Sequence, residues 1–151
     1  MNAVEIEQAV SELAEQPFDR GEFPFQFLAA FDNKETTLKR LRTGVSNKSD
    51  VGGVLQTNNI HIATCAPGQT HATLAALRAS PATARQKARF ILATDGETLE
   101  AEGLTSDDPP VACAYPDFHN HFGFFLPLAG ITTVKQIRES AFDIKATGRL
   151  N

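Results

Sequence analysis

Residues 50–64 read Asp-Val-Gly-Gly-Val-Leu-Gln-Thr-Asn-Asn-Ile-His-Ile-Ala-Thr, and this stretch decides how the rest is read. Val54 and Leu55 begin a short apolar run. Thr57-Asn58-Asn59 is a polar turn, where asparagine tolerates left-handed backbone angles. Ile60, His61, Ile62 and Ala63 then lead into Thr64-Cys65 with the period-two pattern of a half-buried strand. The spacing predicts a β-hairpin. Asp50 opens it, and no Asp, Glu, Lys or Arg follows until Arg78.

Upstream of the hairpin the chain reads as helical. Residues 2–16 place Ile6, Ala9, Val10 and Leu13 on one face, with Asn2 as the cap and Pro17 as the stop. Phe23, Phe25, Phe27, Leu28 and Phe31 suggest a short apolar helix over Pro24 to Phe31. Asn33 is the expected cap of a third helix, Lys34 to Thr43, which Gly44 ends. That helix carries Lys34, Lys39, Arg40 and Arg42, and Lys48 follows it. These five are the candidate contacts to a phosphate backbone. The competing reading is a solvated helix face.

Downstream, Ala66-Pro67-Gly68 breaks the pattern, and Thr70 to Ala79 is an Ala/Leu-rich helix with Leu74 and Leu77 facing inward. Ser80-Pro81 starts another short helix through Lys87. Arg89 to Thr94 reads as a buried strand, Asp95-Gly96 as a tight turn, and Glu97 to Glu102 as a more polar returning strand. Thr105 to Pro110 is a loop and Val111 to Tyr115 a further strand. His119 to Leu128 is aromatic-rich and irregular, broken by Gly123 and Pro127. Thr132 or Thr133 is the expected cap of a last helix, Val134 to Ala141, and residues 142–151 begin another. The order predicts an α/β fold whose mixed sheet is flanked by helices, preceded by a helical N-terminal segment.

The bulk figures bound the function. A chain of 151 residues with 42% apolar and 21% charged residues can bury one domain's core. Eleven Phe and no Trp make that core rich in phenyl rings. A net charge of −4 argues against a domain that grips nucleic acid strongly by itself. Cys65 and Cys113 lie far apart with no CxxC, which suggests free thiols in a reducing compartment. With no apolar run near ~18 residues and no leader pattern, the expectation is a cytoplasmic protein with no membrane partner.

Four further patterns contain residues that carry chemistry in other proteins. His119-Asn120-His121 spells HNH, but nucleases of that name spread those residues over a ββα unit. His119, His121, Cys65 and Cys113 lack the paired ligand spacing of a zinc site. Asp108-Pro109-Pro110 matches the start of the (Asp/Asn)-Pro-Pro-(Tyr/Phe) loop of amino-methyltransferases, yet Val111 stands where the aromatic residue belongs. Cys65-Ala66-Pro67-Gly68-Gln69-Thr70 lacks the Gly-Lys-(Ser/Thr) end of a phosphate loop. No local signature supports a Ser-His-Asp or Cys-His nucleophile.

Taken together, residues 27–43 (FLAAFDNKETTLKRLRT), 48–66 (KSDVGGVLQTNNIHIATCA), 90–102 (FILATDGETLEAE) and 121–150 (HFGFFLPLAGITTVKQIRESAFDIKATGRL) resemble the N-terminal domain of MmeI-like DNA methyltransferases. These are large single-chain proteins of type IIL restriction–modification systems and their relatives. The resemblance implies a domain over residues 1–141, with a helical start to about 44 and an α/β core after it. Residues 142–151 resemble the start of a connector helix, so the chain reads as a piece of a longer protein. In cleaving members this domain looks like a PD-(D/E)xK endonuclease, and a methyltransferase domain using S-adenosylmethionine on adenine N6 and a target-recognition domain follow it.

Such a nuclease needs a first-strand carboxylate and an acidic-x-Lys triplet on the next strand, which together hold Mg²⁺ and orient water. Asp50 alone carries over. Thr64, Cys65 and Ala66 stand where the triplet belongs. The expectation is therefore a nuclease-like module with no catalysis or cofactor of its own, and DNA bound weakly or through the full-length protein. Gln56, Asn58 and His61 are the candidate substitutes for the missing triplet, and one alternative is an active Mg²⁺ nuclease using Asp50 with a migrated carboxylate, Asp95 or Glu97. Another is a protein-interaction domain with no nucleic-acid role.

Overall fold

The computed structural model describes residues 2–105 and 107–131. The helix expected over Val134 to Ala141 and the connector at 142–151 lie outside the described residues.

Helix α1 spans Ala3–Glu15 and is fixed by a capping box. The Asn2 side chain accepts from the Glu5 amide at 2.8 Å, and the Glu5 carboxylate accepts from the Asn2 amide at 2.9 Å. Helix α2 spans Phe23–Ala30, with Pro24 in its first turn, and Asp19 accepts from the Gly21 and Glu22 amides just ahead of it. Helix α3 spans Glu35–Arg42. Asn33 does not cap it. Its side chain donates to the Leu28 carbonyl and accepts from Gln56, so it fastens the end of α2 to the sheet. A polar side chain within reach of two buried-edge partners gains more there than at an exposed cap.

The sheet has five strands in the order β1-β2-β3-β4-β5: Val54–Gln56, Ile60–Thr64, Phe90–Thr94, Thr98–Gly103 and Val111–Ala114. The predicted hairpin is β1-β2, antiparallel, with Val54 opposite Ile62 and Asn58 at φ 64 in its turn. β2 and β3 are parallel, joined by α4 (Thr70–Ala79) and α5 (Pro81–Arg85), and β3-β4-β5 form an antiparallel meander. The result is the α/β fold with a mixed sheet and flanking helices that the sequence predicts.

Alternation on the strands divides the core in two. Ile60, Ile62, Phe90, Leu92, Leu99 and Ala101 face a cluster that includes Ile6, Val10, Phe23, Phe27 and Phe31. Ala63, Ile91 and Ala93 face Leu74 and Leu77 of α4 on the other side. Residues 115–129, which include the His119 to Leu128 stretch expected as irregular, form tight 3₁₀ turns kinked at His121. Two prolines, a glycine and five aromatic rings make a poor α-helix, while short turns still bring Phe118, Phe125 and Leu126 onto the core. The Phe118 and Phe125 rings meet those of α2, with Phe27 and Phe125 centroids 5.2 Å apart and nearly perpendicular. No helix among the described residues is long and apolar enough to cross a membrane.

Candidate functional site

The carboxyl end of β2, where the nuclease triplet would stand, is the floor of an open region. Two adjoining cavities of about 490 Å³ and 270 Å³ share Arg20 and Thr64 in their walls. In open α/β sheets, crevices outside the carboxyl ends of parallel strands are the usual ligand sites. The segment leading from α1 to α2 crosses this end. Phe18 lies so close over Gly96 that a Cβ there would meet its ring at 2.5 Å. The Thr64 hydroxyl donates to the Arg20 carbonyl at 2.9 Å, which holds Arg20 against the strand end.

Asp50 lies in the loop before β1, exposed, and not on the strand itself. The Ser80 hydroxyl donates to it at 2.6 Å. That bond, with the Ala82 amide, holds the carboxyl below its ordinary value against the smaller cost of desolvation. Asp50 is thus tied to Ser80, the residue that opens α5.

Asp95 and Glu97 are not brought to it. Asp95 is buried in the β3-β4 turn and accepts from the amides of Gly68, Glu97 and Thr98, each at 2.8 Å. Burial alone would raise its pKa, but these donors and Thr70 together pull it down to about 2. Glu97 is exposed, beyond the turn. Among the described residues no group of three or more His, Cys, Asp or Glu could hold a metal ion.

The substitute ligands considered for the nuclease are engaged elsewhere. Gln56 bonds Asn33 and Asn59, and Asn58 forms the hairpin turn. His61 is wholly buried between Ser49 and Thr83. The Thr83 hydroxyl donates to the Leu77 carbonyl at 2.8 Å, so it accepts from His61 Nδ1–H, 2.9 Å away. Nε2 therefore accepts from the Ser49 hydroxyl at 2.7 Å. That polarity matches a nucleophile–base pair, which sequence spacing did not reveal. The chemistry does not follow, because the Ser49 oxygen also accepts the Val51 and Gly53 amides. Burial pushes the His61 pKa down to about 4, against the pull of Asp50, leaving a weak base.

The zinc reading also separates. Cys65 follows β2 and points its thiol at the Thr94 carbonyl, whereas Cys113 lies on β5 at the sheet edge. Burial, then the Asp117 charge, pushes the Cys113 thiol up and away from the thiolate that a metal requires. His119 Nδ1 bonds the Pro116 carbonyl.

The basic residues divide between a helix face and the larger cavity. Lys39 and Arg40 are exposed on α3, Lys34 is exposed just ahead of it, and Lys48 is exposed in the loop that follows. Arg42 instead turns toward α2, where its guanidinium stacks 4.3 Å from the Phe25 ring centroid and donates to Glu22 at 2.6 Å. Arg20, unremarked in the sequence between Asp19 and Gly21, is the other cation of the cavity wall.

Neither the comparison with curated proteins nor that with solved structures gives a match. The family model described as "MmeI, N-terminal domain" matches residues 1–151, the whole chain. The chain accordingly belongs to the MmeI N-terminal domain family, a family of restriction–modification proteins.

Proposed function

We propose that this chain is the non-cutting, nuclease-like N-terminal module of a DNA methyltransferase from a restriction–modification or phage-defence system, working in the cytoplasm. In this reading it holds DNA near the enzyme and leaves the chemistry to other domains. Those partners are a methyltransferase domain acting on adenine N6 with S-adenosylmethionine and a target-recognition domain. Family membership supports the setting.

The observation that carries the non-cutting part is the state of Asp50. Its carboxylate is engaged by the Ser80 hydroxyl, and Thr64, Cys65 and Ala66 supply neither a carboxylate nor a cation. A Mg²⁺ ion wants several oxygen ligands in near-octahedral order, and one exposed carboxylate does not provide them. The DNA-proximal part rests on the cations of α3 and its loop: Lys34, Lys39, Arg40 and Lys48 on the surface, with Arg42 beside them.

The test is duplex binding at rising salt. Binding that weakens steeply with salt, and weakens further on charge reversal at Lys39 and Arg40, supports the reading. No binding at low salt favours a domain that contacts only protein.

A further inference from the structure

We propose that the cavity at the carboxyl end of β2 is a phosphate site, with Arg20 as its free cation and Arg42 as a second cation restrained by Glu22. This deepens the DNA-proximal reading and rests on it for the source of the phosphate.

The wall of the larger cavity contains two ionised side chains, Arg20 and Arg42, and no carboxylate. Four glycines, at 21, 44, 52 and 53, leave backbone rather than side chain at the surface. At Gly44 and Gly52 an added Cβ would meet nothing within 4 Å, so the space beside them is open. Arg20 is exposed, and its guanidinium has no acidic partner among the described residues. Its backbone is nevertheless fixed, because Thr64 holds its carbonyl. With the backbone already pinned, only the side-chain rotamers of Arg20 remain to be ordered when an anion arrives.

Arg42 is oriented already by the Phe25 ring. Its bonded partner, the Glu22 carboxylate, is not part of the cavity wall and is the anion that a phosphate oxygen would displace from Arg42. Both side chains of this pair are nearly half exposed, at 46% and 43%, and exposed ion pairs contribute little. A phosphate that can also reach Arg20 therefore has a modest competitor. The chemistry recognised is a phosphate ester, either a bridging phosphate of DNA or the phosphate of a free nucleotide.

Fluorescence anisotropy with a short labelled duplex, repeated across salt, reads the site. Arg20→Gln and Arg42→Gln should each weaken binding about tenfold and lower the slope of log K against log salt by about one. Arg20→Lys should restore the slope. Glu22→Gln should strengthen binding and raise the slope by about one, whereas Glu35→Gln, which removes an equal charge from the start of α3, should leave the slope unchanged.

If Arg20→Gln and Glu22→Gln leave both quantities unchanged while charge reversal at Lys39 and Arg40 abolishes binding, the phosphate-site proposal is wrong and the DNA-proximal reading survives. A thermal shift with a nucleoside monophosphate, lost in Arg20→Gln, without duplex binding would support the site and overturn the DNA reading. Absence of both responses overturns both. Circular dichroism on each exposed-site variant confirms that the fold is kept.

Discussion

The Ser80 hydroxyl donates a 2.6 Å hydrogen bond to Oδ1 of Asp50, joining the loop ahead of the first strand to the start of α5. A carboxylate that would face a metal in a nuclease here fastens the loop to the residue that opens α5. Asp50→Asn keeps an acceptor and should leave α5 intact. Asp50→Ala should loosen it, so the amides of residues 82–86 should exchange faster with solvent while those of β3 stay protected. Equal protection in both variants would mean that the Ser80–Asp50 bond contributes nothing.

His61 makes stability depend on pH. Its pKa is pushed down to about 4, whereas an unfolded histidine titrates near 6.5. Across that window the unfolded chain binds more protons than the folded one. Stability is therefore fully present above about pH 6.5 and falls as pH drops toward 4, by roughly 3 kcal/mol at most. Urea midpoints measured at intervals from pH 7 to 4 should show the loss, and His61→Gln should flatten it. Asp95 adds a second window below its ordinary value of 3.8, because its folded pKa of about 2 means that stability is lost as pH falls through that range.

Gly53 and Gly52 are adjacent and should behave differently. A Cβ on Gly53 would lie 2.2 Å from the Ile62 carbonyl oxygen, inside the hairpin. Gly52 has open space but φ +80. Gly52→Ala should cost about 1 kcal/mol, from the left-handed backbone alone. Gly53→Ala should cost clearly more, since the backbone of β1 and β2 must part. Denaturant unfolding of the two variants gives the order, and the reverse order would contradict this geometry.

Phe27 is fully buried and lies against Phe23, Phe31, Phe118 and Phe125. Phe27→Ala should destabilise by about 3–5 kcal/mol. A much smaller loss in chemical denaturation would mean that the helical layer and the 3₁₀ turns do not share a core.

The hairpin, the tight turn at Asp95-Gly96 and the cap at Asn2 were legible because each rests on local chemistry: period two, asparagine or glycine at positive φ, and a short polar side chain beside an open amide. Asn33 misled for the same reason. It has a cap's chemistry, but Gln56, 23 positions away, claims its side chain. The Ser49–His61–Thr83 chain and the cavity cation Arg20 were invisible, since they depend on how β2, α5 and the α1–α2 link meet in space. Arg20 follows an ordinary turn aspartate, and only the bond from Thr64 places it at the strand end.

Supercoiled plasmid incubated with the chain and Mn²⁺ or Mg²⁺ is the most direct measurement of whether this module grips phosphates without cutting them. The predicted result is plasmid that stays supercoiled under conditions where the labelled duplex is bound. Nicked or linear plasmid that disappears with Asp50→Ala would contradict the account.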